Sequence, residues 1–288
     1  MAIYSQKRAW QNTFPQFPLS GHSTKPRRTG CTMLLDKGLG LSQTKDLLEL
    51  AGDYIDIIKL TFGTSALYPE ALLREKIRLI RFYGVDVYPG GTLCEIAILH
   101  NQLPAYLRQA RELGFSGIEI SDGTISLSAP ERRRSIGMAK DAGFKVITEV
   151  GKKDGTHIPI PQMQQIIMDD LEHGADKVVI EGRESGKGVG IFDSEGKVKV
   201  REVEELVHGL SCLDALLWEA PLKSQQVSLI KRFGPNVNLG NIAPDEVLAV
   251  EALRCGLRGD TLQLSFAALT AKNLVRPAWE VGDGGLVD

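Results

Sequence analysis

Ala142-Gly143-Phe144-Lys145-Val146-Ile147-Thr148-Glu149-Val150-Gly151-Lys152-Lys153 compresses a helix stop, a strand and a strand end into one short run. Gly143 suits the left-handed position that ends a helix. The residues after it are rich in the β-branched and apolar types that favour strands. The same phrase recurs as Gly84 before VDVYPGG, Gly114 before FSGIEIS, Gly174 before ADKVVIEG and Gly234 before PNVNLGN. Successive glycines lie 30, 29, 31 and 60 residues apart, the last being a double step that contains ALLWEAP. A fixed period of this length is that of a strand, its loop and a returning helix.

TMLLDKG from Thr32 and YIDIIKLTFGTS from Tyr54 complete eight candidate strands. Between them lie amphipathic segments, among them PEALLREKIRLIRF, with Leu73, Ile77 and Ile80 at helical spacing, and PAYLRQAREL. Pro69, Pro104, Pro130 and Pro244 stand near helix starts, where a missing N–H matters little. Eight strands alternating with helices predict a parallel sheet with right-handed crossovers. Closed on itself, that sheet is a single-domain (β/α)8 TIM barrel; an open doubly wound sheet is the alternative. The 288 residues fit the roughly 250 such a barrel needs. The expected organisation is an extension over 1–28 packed on the barrel, the barrel over 29–271 and a Gly-rich tail over 272–288.

A net charge of −2 supplies no electrostatic reason for a nucleic acid or membrane partner. Four scattered cysteines form no CxxC pair, so neither zinc nor disulfides are expected. The opening MAIYSQKRAWQ lacks the apolar centre of a signal peptide, and no apolar run reaches spanning length. A cytoplasmic location is expected. Barrels often associate, so a homo-oligomer is expected as well.

The decisive feature is a charge inside nearly every apolar strand. LLDKG, IIKLT, GIEIS, ITEVG, VIEGR and LWEAP place Asp36, Lys59, Glu119, Glu149, Glu181 and Glu219 at matching positions near strand ends. An outward residue there would be covered by a helix and left unpaired. The C-terminal mouth, where barrel enzymes keep their sites, accepts such charges. The plain alternative is a structural ion-pair network. Carboxylates gathered in one mouth repel one another. Lys59, Lys153 and Arg183 offset part of this, and a hard divalent cation with oxygen ligands suits the rest. Glu149, Glu181 and Glu219 are the favoured metal ligands, with Glu119 beside them.

Two loops add anion-binding chemistry. Glu181-Gly-Arg183-Glu-Ser185-Gly186-Lys187-Gly188 allows backbone N–H groups to converge on an oxyanion, although it is not a P-loop and equally fits a flexible surface loop. After the seventh strand, Lys223 opens a helix, and Asn238-Leu-Gly240-Asn241 closes the eighth. These loops are the usual phosphate site of the fold. Lys59, Arg183, Ser185, Gly186, Lys223 and Asn241 are therefore candidates for substrate binding. Counting alternately from Glu149 puts Gly151 and Lys153 on the inward side. Lys153 is the first candidate for a catalytic acid and Lys152 the second. The histidines show no metal-ligand spacing and are read as surface or capping residues. Arg132-Arg133-Arg134 is read as a solvated helix face, and Arg258-Gly-Asp260 as a loop after the last helix.

With these residues in view, the chain resembles the phosphosulfolactate synthase family, whose archaeal members open coenzyme M biosynthesis. The stretches that carry the resemblance are LDKGLG, GDYIDIIKLTFGTSA, VDVYPGGTL, GFSGIEISDG, ITEVGKK, VVIEGRESGKGVGIFDSEGKVK, WEAPLKSQQ, VNLGNIAPDEV and ALRCGLRGDT, spread over most of the chain. The resemblance implies a barrel lyase that uses Mg²⁺ to add sulfite to phosphoenolpyruvate, giving (2R)-phospho-3-sulfolactate. Two rivals stand beside it. One is another Mg²⁺-dependent barrel lyase acting on an enolpyruvate or keto-acid phosphate, which a substrate screen would separate. The other is a non-catalytic, stress-related barrel of the same family, which loss of Lys153 or of the strand-end acids would favour.

Overall fold

A computed structural model of the chain describes residues 8–13, 21–153 and 156–271, with side chains as far as residue 267. The proposed divisions at 1–28 and 272–288 rest partly on residues 1–7, 14–20 and 272–288, which lie outside the described residues. Eight strands alternate with helices: β1 (Thr32–Asp36), α1 (Leu41–Ala51), β2 (Ile57–Leu60), α2 (Glu70–Phe82), β3 (Asp86–Tyr88), α3 (Gly91–Leu99), α4 (Leu103–Leu113), β4 (Gly117–Ile120), α5 (Ala129–Asp141), β5 (Lys145–Val150), α6 (Ile160–Glu172), β6 (Lys177–Ile180), α7 (Val200–Val207), β7 (Leu216–Glu219), α8 (Lys223–Phe233), β8 (Leu239–Ile242), α9 (Val247–Arg254) and α10 (Gly259–Ala271).

All pairings between the eight strands are parallel, and the ladder runs β3-β2-β1-β8-β7-β6-β5-β4. Pairing of the first strand with the eighth is barrel topology, not that of an open sheet. The remaining seam, β3 to β4, is bridged where Ser116 N–H donates to Val87 O at 3.1 Å and Val87 N–H donates to Ser116 Oγ at 2.9 Å. Two points differ from the sequence reading. Two helices, α3 and α4, separate β3 from β4, and Gly259 and Asp260 open a further helix, α10, instead of forming a loop after the last one.

Strand alternation builds two apolar shells. Leu34, Ile58, Ile118, Val146, Val178 and Leu216 face the helices, and Met33, Ile57, Tyr88, Ile147, Val179 and Leu217 plug the lumen. β8 adds only backbone to the plug, because a Cβ at Gly240 would lie 2.4 Å from Leu217 Cδ2 and 2.6 Å from Met33 Cε. The plug fixes what lies above it. Lys59, Glu149, Glu181 and Glu219 each stand two residues beyond a plug residue and so share its inward direction.

Candidate active site

Above the plug, Lys59 Nζ lies 3.0 Å from Glu119 Oε2, 3.4 Å from Glu149 Oε2 and 3.3 Å from Glu219 Oε1. An ammonium has three N–H donors, matching these three acidic neighbours. Lys153 Nζ is 2.9 Å from Glu149 Oε1 and 3.9 Å from Glu181 Oε2. All four glutamates are buried. Four carboxyl groups thus face only two ammoniums, those of Lys59 and Lys153.

The surroundings split the acids. Burial would raise the Glu149 pKa, but Lys59 and Lys153 outweigh it and hold the group down to about 2. Glu181 is pushed up to about 11, first by burial and then by the charges of Glu149 and Glu219. Lys153 is raised despite its own burial, because Glu149, Glu119 and Glu181 favour its charged form. Lys153 is thus a protonated, partly buried ammonium at a carboxylate-rich mouth.

A divalent metal ion fits the donor set. Oxygens of Glu149, Glu181 and Glu219 lie within 4.8 Å of one another. Glu181 Oε2 is buried without a hydrogen-bond donor. The crowding of carboxyl groups that raises Glu181 is what a bound cation relieves, and hard oxygen ligands suit a hard cation.

Local backbone builds this arrangement. Gly151, at φ +142°, follows Glu149 on the inward side, and a Cβ there would lie 2.3 Å from Glu181 Cβ. Arg183 adopts φ +58°, an uncommon conformation for a non-glycine residue. This turns its N–H toward Glu181 Oε1 at 2.6 Å and Glu219 Oε2 at 3.0 Å, while Gly182 N–H reaches Glu219 Oε2 at 3.1 Å. Asn241, at φ +56°, donates through Nδ2 to Arg183 O at 3.1 Å and leaves Oδ1 buried without a donor.

The other sequence candidates separate. Lys152 turns away, donating to Asp122 Oδ2 at 2.9 Å and Ile125 O at 3.0 Å, so it braces the loop after β4. The Arg183 side chain is exposed at the rim and donates through Nη1 to Lys153 O at 3.2 Å. Ser185 Oγ accepts from Lys187 N–H within its own loop. Gly186 is buried and anchored through its carbonyl to Gln225 Nε2 at 2.6 Å. Lys223 is drawn to Asp260 Oδ2 at 2.8 Å, at the start of α10, and is not part of the carboxylate cluster.

Three sequence readings are corrected. Asp36 does not join the mouth: its register partner is the outward Leu60, and Lys76 of α2 meets its Oδ2 at 2.6 Å. An outward charge is tolerated there because it is paired, a partner that strand-by-strand reading does not see. His22 is buried, with Nδ1 3.1 Å from Glu251 Oε1 and Nε2 3.0 Å from Gly30 O. Arg132 is also buried. A capping box between Ser128 and Glu131 starts α5 and turns the next residue, Arg132, onto the strand ends. Its Nε and Nη2 clamp Asp170 at 2.7 and 2.6 Å, Nη1 meets Asp122 at 2.9 Å, and Nη2 donates to Glu149 O at 2.9 Å. Sequence reasoning missed this brace; the capping motif just before it was the available signal.

Glu95 of α3 was also missed. It is buried and gathers the loop after β4, accepting from Ser121 Oγ at 2.7 Å and Gly123 N–H at 3.0 Å.

The sequence has known relatives. The profile of the (2R)-phospho-3-sulfolactate synthase (ComA) family matches residues 20–260. A phosphosulfolactate synthase of Methanocaldococcus jannaschii is 48% identical over 235 residues, covering 81% of this chain and 93% of the relative. That of Methanothermobacter thermautotrophicus is 46% identical over 243 residues, covering 83% and 94%. That of Bacillus subtilis is 38% identical over 245 residues, covering 84% and 96%. Among solved structures, the YdjI aldolase of Escherichia coli K12 superposes with a TM-score of 0.51 at 13% identity, covering 94% of each chain, a likeness of fold alone. With that match across the barrel and every charged strand end of the mouth in place, the chain belongs to the phosphosulfolactate synthase family and is an enzyme of the lyase type.

Proposed function

We propose that the chain adds sulfite to phosphoenolpyruvate to give (2R)-phospho-3-sulfolactate, with Mg²⁺ held by Glu149, Glu181 and Glu219. The observation that carries this reading is the buried carboxylate cluster with a protonated Lys153 at its edge. Held there, Mg²⁺ supplies Lewis acidity for the negative charge that develops on the substrate carboxylate. The sulfite sulfur lone pair forms the bond to C3, the C2–C3 double bond opens, and its electrons move toward the carboxylate. Lys153 then delivers a proton to C2 as a general acid. Lys59 holds Glu119, Glu149 and Glu219 in one arrangement. Arg183, the 185–188 loop and Asn241 are the candidates for holding the anionic substrate, with Asn241 Nδ2 bonded to Arg183 O.

Among the described residues no helix is long and apolar enough to cross a membrane. A cytoplasmic location and self-association belong to the same proposal. The test is incubation of purified protein with sulfite, phosphoenolpyruvate and Mg²⁺, followed by identification of the product. Phosphosulfolactate formed only when all three are present is the expected result. Its absence, with turnover of another enolpyruvate or keto-acid phosphate, would move the chain to a different lyase reaction.

A further inference from the structure

The inward parity that carries Glu149 and Glu181 to the mouth also carries Lys145 and Lys177, four residues earlier on β5 and β6, to the opposite end of the lumen. There a cavity of about 960 Å³ lies against the strand N-termini, with the plug residues Ile57, Tyr88 and Ile147 as its floor. That volume lies within the range of small-molecule sites. The apolar plug separates this cavity from the carboxylates above.

Its walls are basic. Seven lysine and arginine side chains face five carboxylates. Two of those acids have partners outside the cavity lining, Glu49 in Lys45 and Asp176 in Lys140. Asp86 is shared by Arg81 and Lys145, and Asp56 pairs with Arg27 and accepts from Thr32 N–H. The excess charge is positive.

Two of the lysines are not spent on carboxylates. Lys25 Nζ donates to Gly52 O at 2.7 Å, and Lys177 Nζ donates to Arg28 O at 2.7 Å and Asp214 O at 2.6 Å. Each ammonium carries three donors, so both keep at least one without an acceptor among the described residues. Burial holds both below the ordinary lysine value. Arg28 stands exposed at the edge, and its guanidinium has no acceptor among the described residues. Tyr54, Phe82 and Tyr83 add aromatic surface.

We propose that this cavity is a second ligand site, distinct from the mouth, for a small molecule carrying at least two phosphate, sulfonate or carboxylate charges. Spare donors on half-buried ammoniums, a positive wall and a concave volume are what such a polyanion needs. A surplus of cations is otherwise unfavourable beneath a barrel, and a bound polyanion would neutralise it.

The test is calorimetric titration of the full chain with inorganic pyrophosphate in metal-free buffer, where the mouth is negative and repels the probe. Saturable binding of one equivalent, weakened by salt, is expected. It should persist in Lys153→Ala, which removes a cation of the mouth, and weaken about tenfold or more in Lys177→Met and Arg28→Glu. If Lys177→Met does not fold, Arg28→Glu decides alone, because that side chain is exposed. No saturable binding up to about 10 mM would overturn the proposal. So would binding that survives Arg28→Glu but is lost in Lys153→Ala, since the anion would then sit on the cation at the mouth.

Discussion

Arg132 reaches from outside the barrel to the carbonyl of Glu149, with Nη2 and O 2.9 Å apart. One guanidinium thereby ties α5, α6 through Asp170, the loop after β4 through Asp122, and the strand end that presents Glu149. It acts on the site by positioning a residue, without touching the mouth itself.

Arg132→Lys keeps the charge but not the fork that clamps Asp170. Partners that orient metal ligands typically contribute about 10–100-fold in metal affinity or activity. The variant is expected to need about that much more Mg²⁺ for half-maximal activity, with KM for phosphoenolpyruvate nearly unchanged. Metal titration of the steady-state rate checks this. A lower melting temperature with an unaltered metal requirement would mean that Arg132 only stabilises the fold.

Lys153→Ala is expected to lower kcat by about 10²–10⁴-fold while leaving KM for phosphoenolpyruvate close to wild type. A lysine that only held an anion would mainly raise KM instead. Lys152→Ala removes the brace on Asp122 and Ile125 O and should have the smaller effect on kcat. The reverse order in the two variants would show that the proton comes from the neighbouring residue.

Chelation of divalent metal should abolish turnover, and Mg²⁺ alone should restore it. Glu149→Gln, Glu181→Gln and Glu219→Gln each remove one charged ligand and should weaken Mg²⁺ binding. Glu181→Gln should also raise the melting temperature of the metal-free protein, because it removes a buried acid crowded by Glu149 and Glu219. Full activity after exhaustive chelation would remove the metal from the reaction.

Glu251, on α9, supports a pH prediction away from the mouth. Burial would raise its pKa, but hydrogen bonding to His22 and Cys255 and the charges of His22 and Arg254 outweigh burial and hold it below the ordinary 4.5. A depressed folded pKa contributes stability above the unfolded value, lost as pH falls through the folded one. Glu251→Gln should therefore destabilise by about 1–3 kcal/mol near neutral pH, with the gap to wild type narrowing below about pH 4. Urea melts at both pH values measure it; an unchanging gap would contradict the linkage.

Much of this protein can be read from the order of its residues. Glycine helix stops at a period near 30 predict the strand–helix repeat, and the shared parity of Ile147 with Glu149 and of Val179 with Glu181 predicts the inward acids. Alternation along a strand is a local property, so it survives without knowledge of neighbours. The same counting from Glu149 sends Lys153 to the mouth and Lys152 away from it, as the structure has them.

What only the tertiary structure decided is which charges find partners across the fold. Asp36 has the strand-end position of the inward acids, yet its register with Leu60 turns it to Lys76 on α2. Arg132 sits in a run of three arginines on one helix, yet it alone is buried, because Asp170, Asp122 and the Glu149 carbonyl converge on it from three other elements. Lys223 opens the expected helix, and its partner is Asp260 at the start of α10. In each case the deciding partner lies many residues away in the chain. A buried charge is stable only where such a partner meets it, and that meeting is a property of the closed barrel.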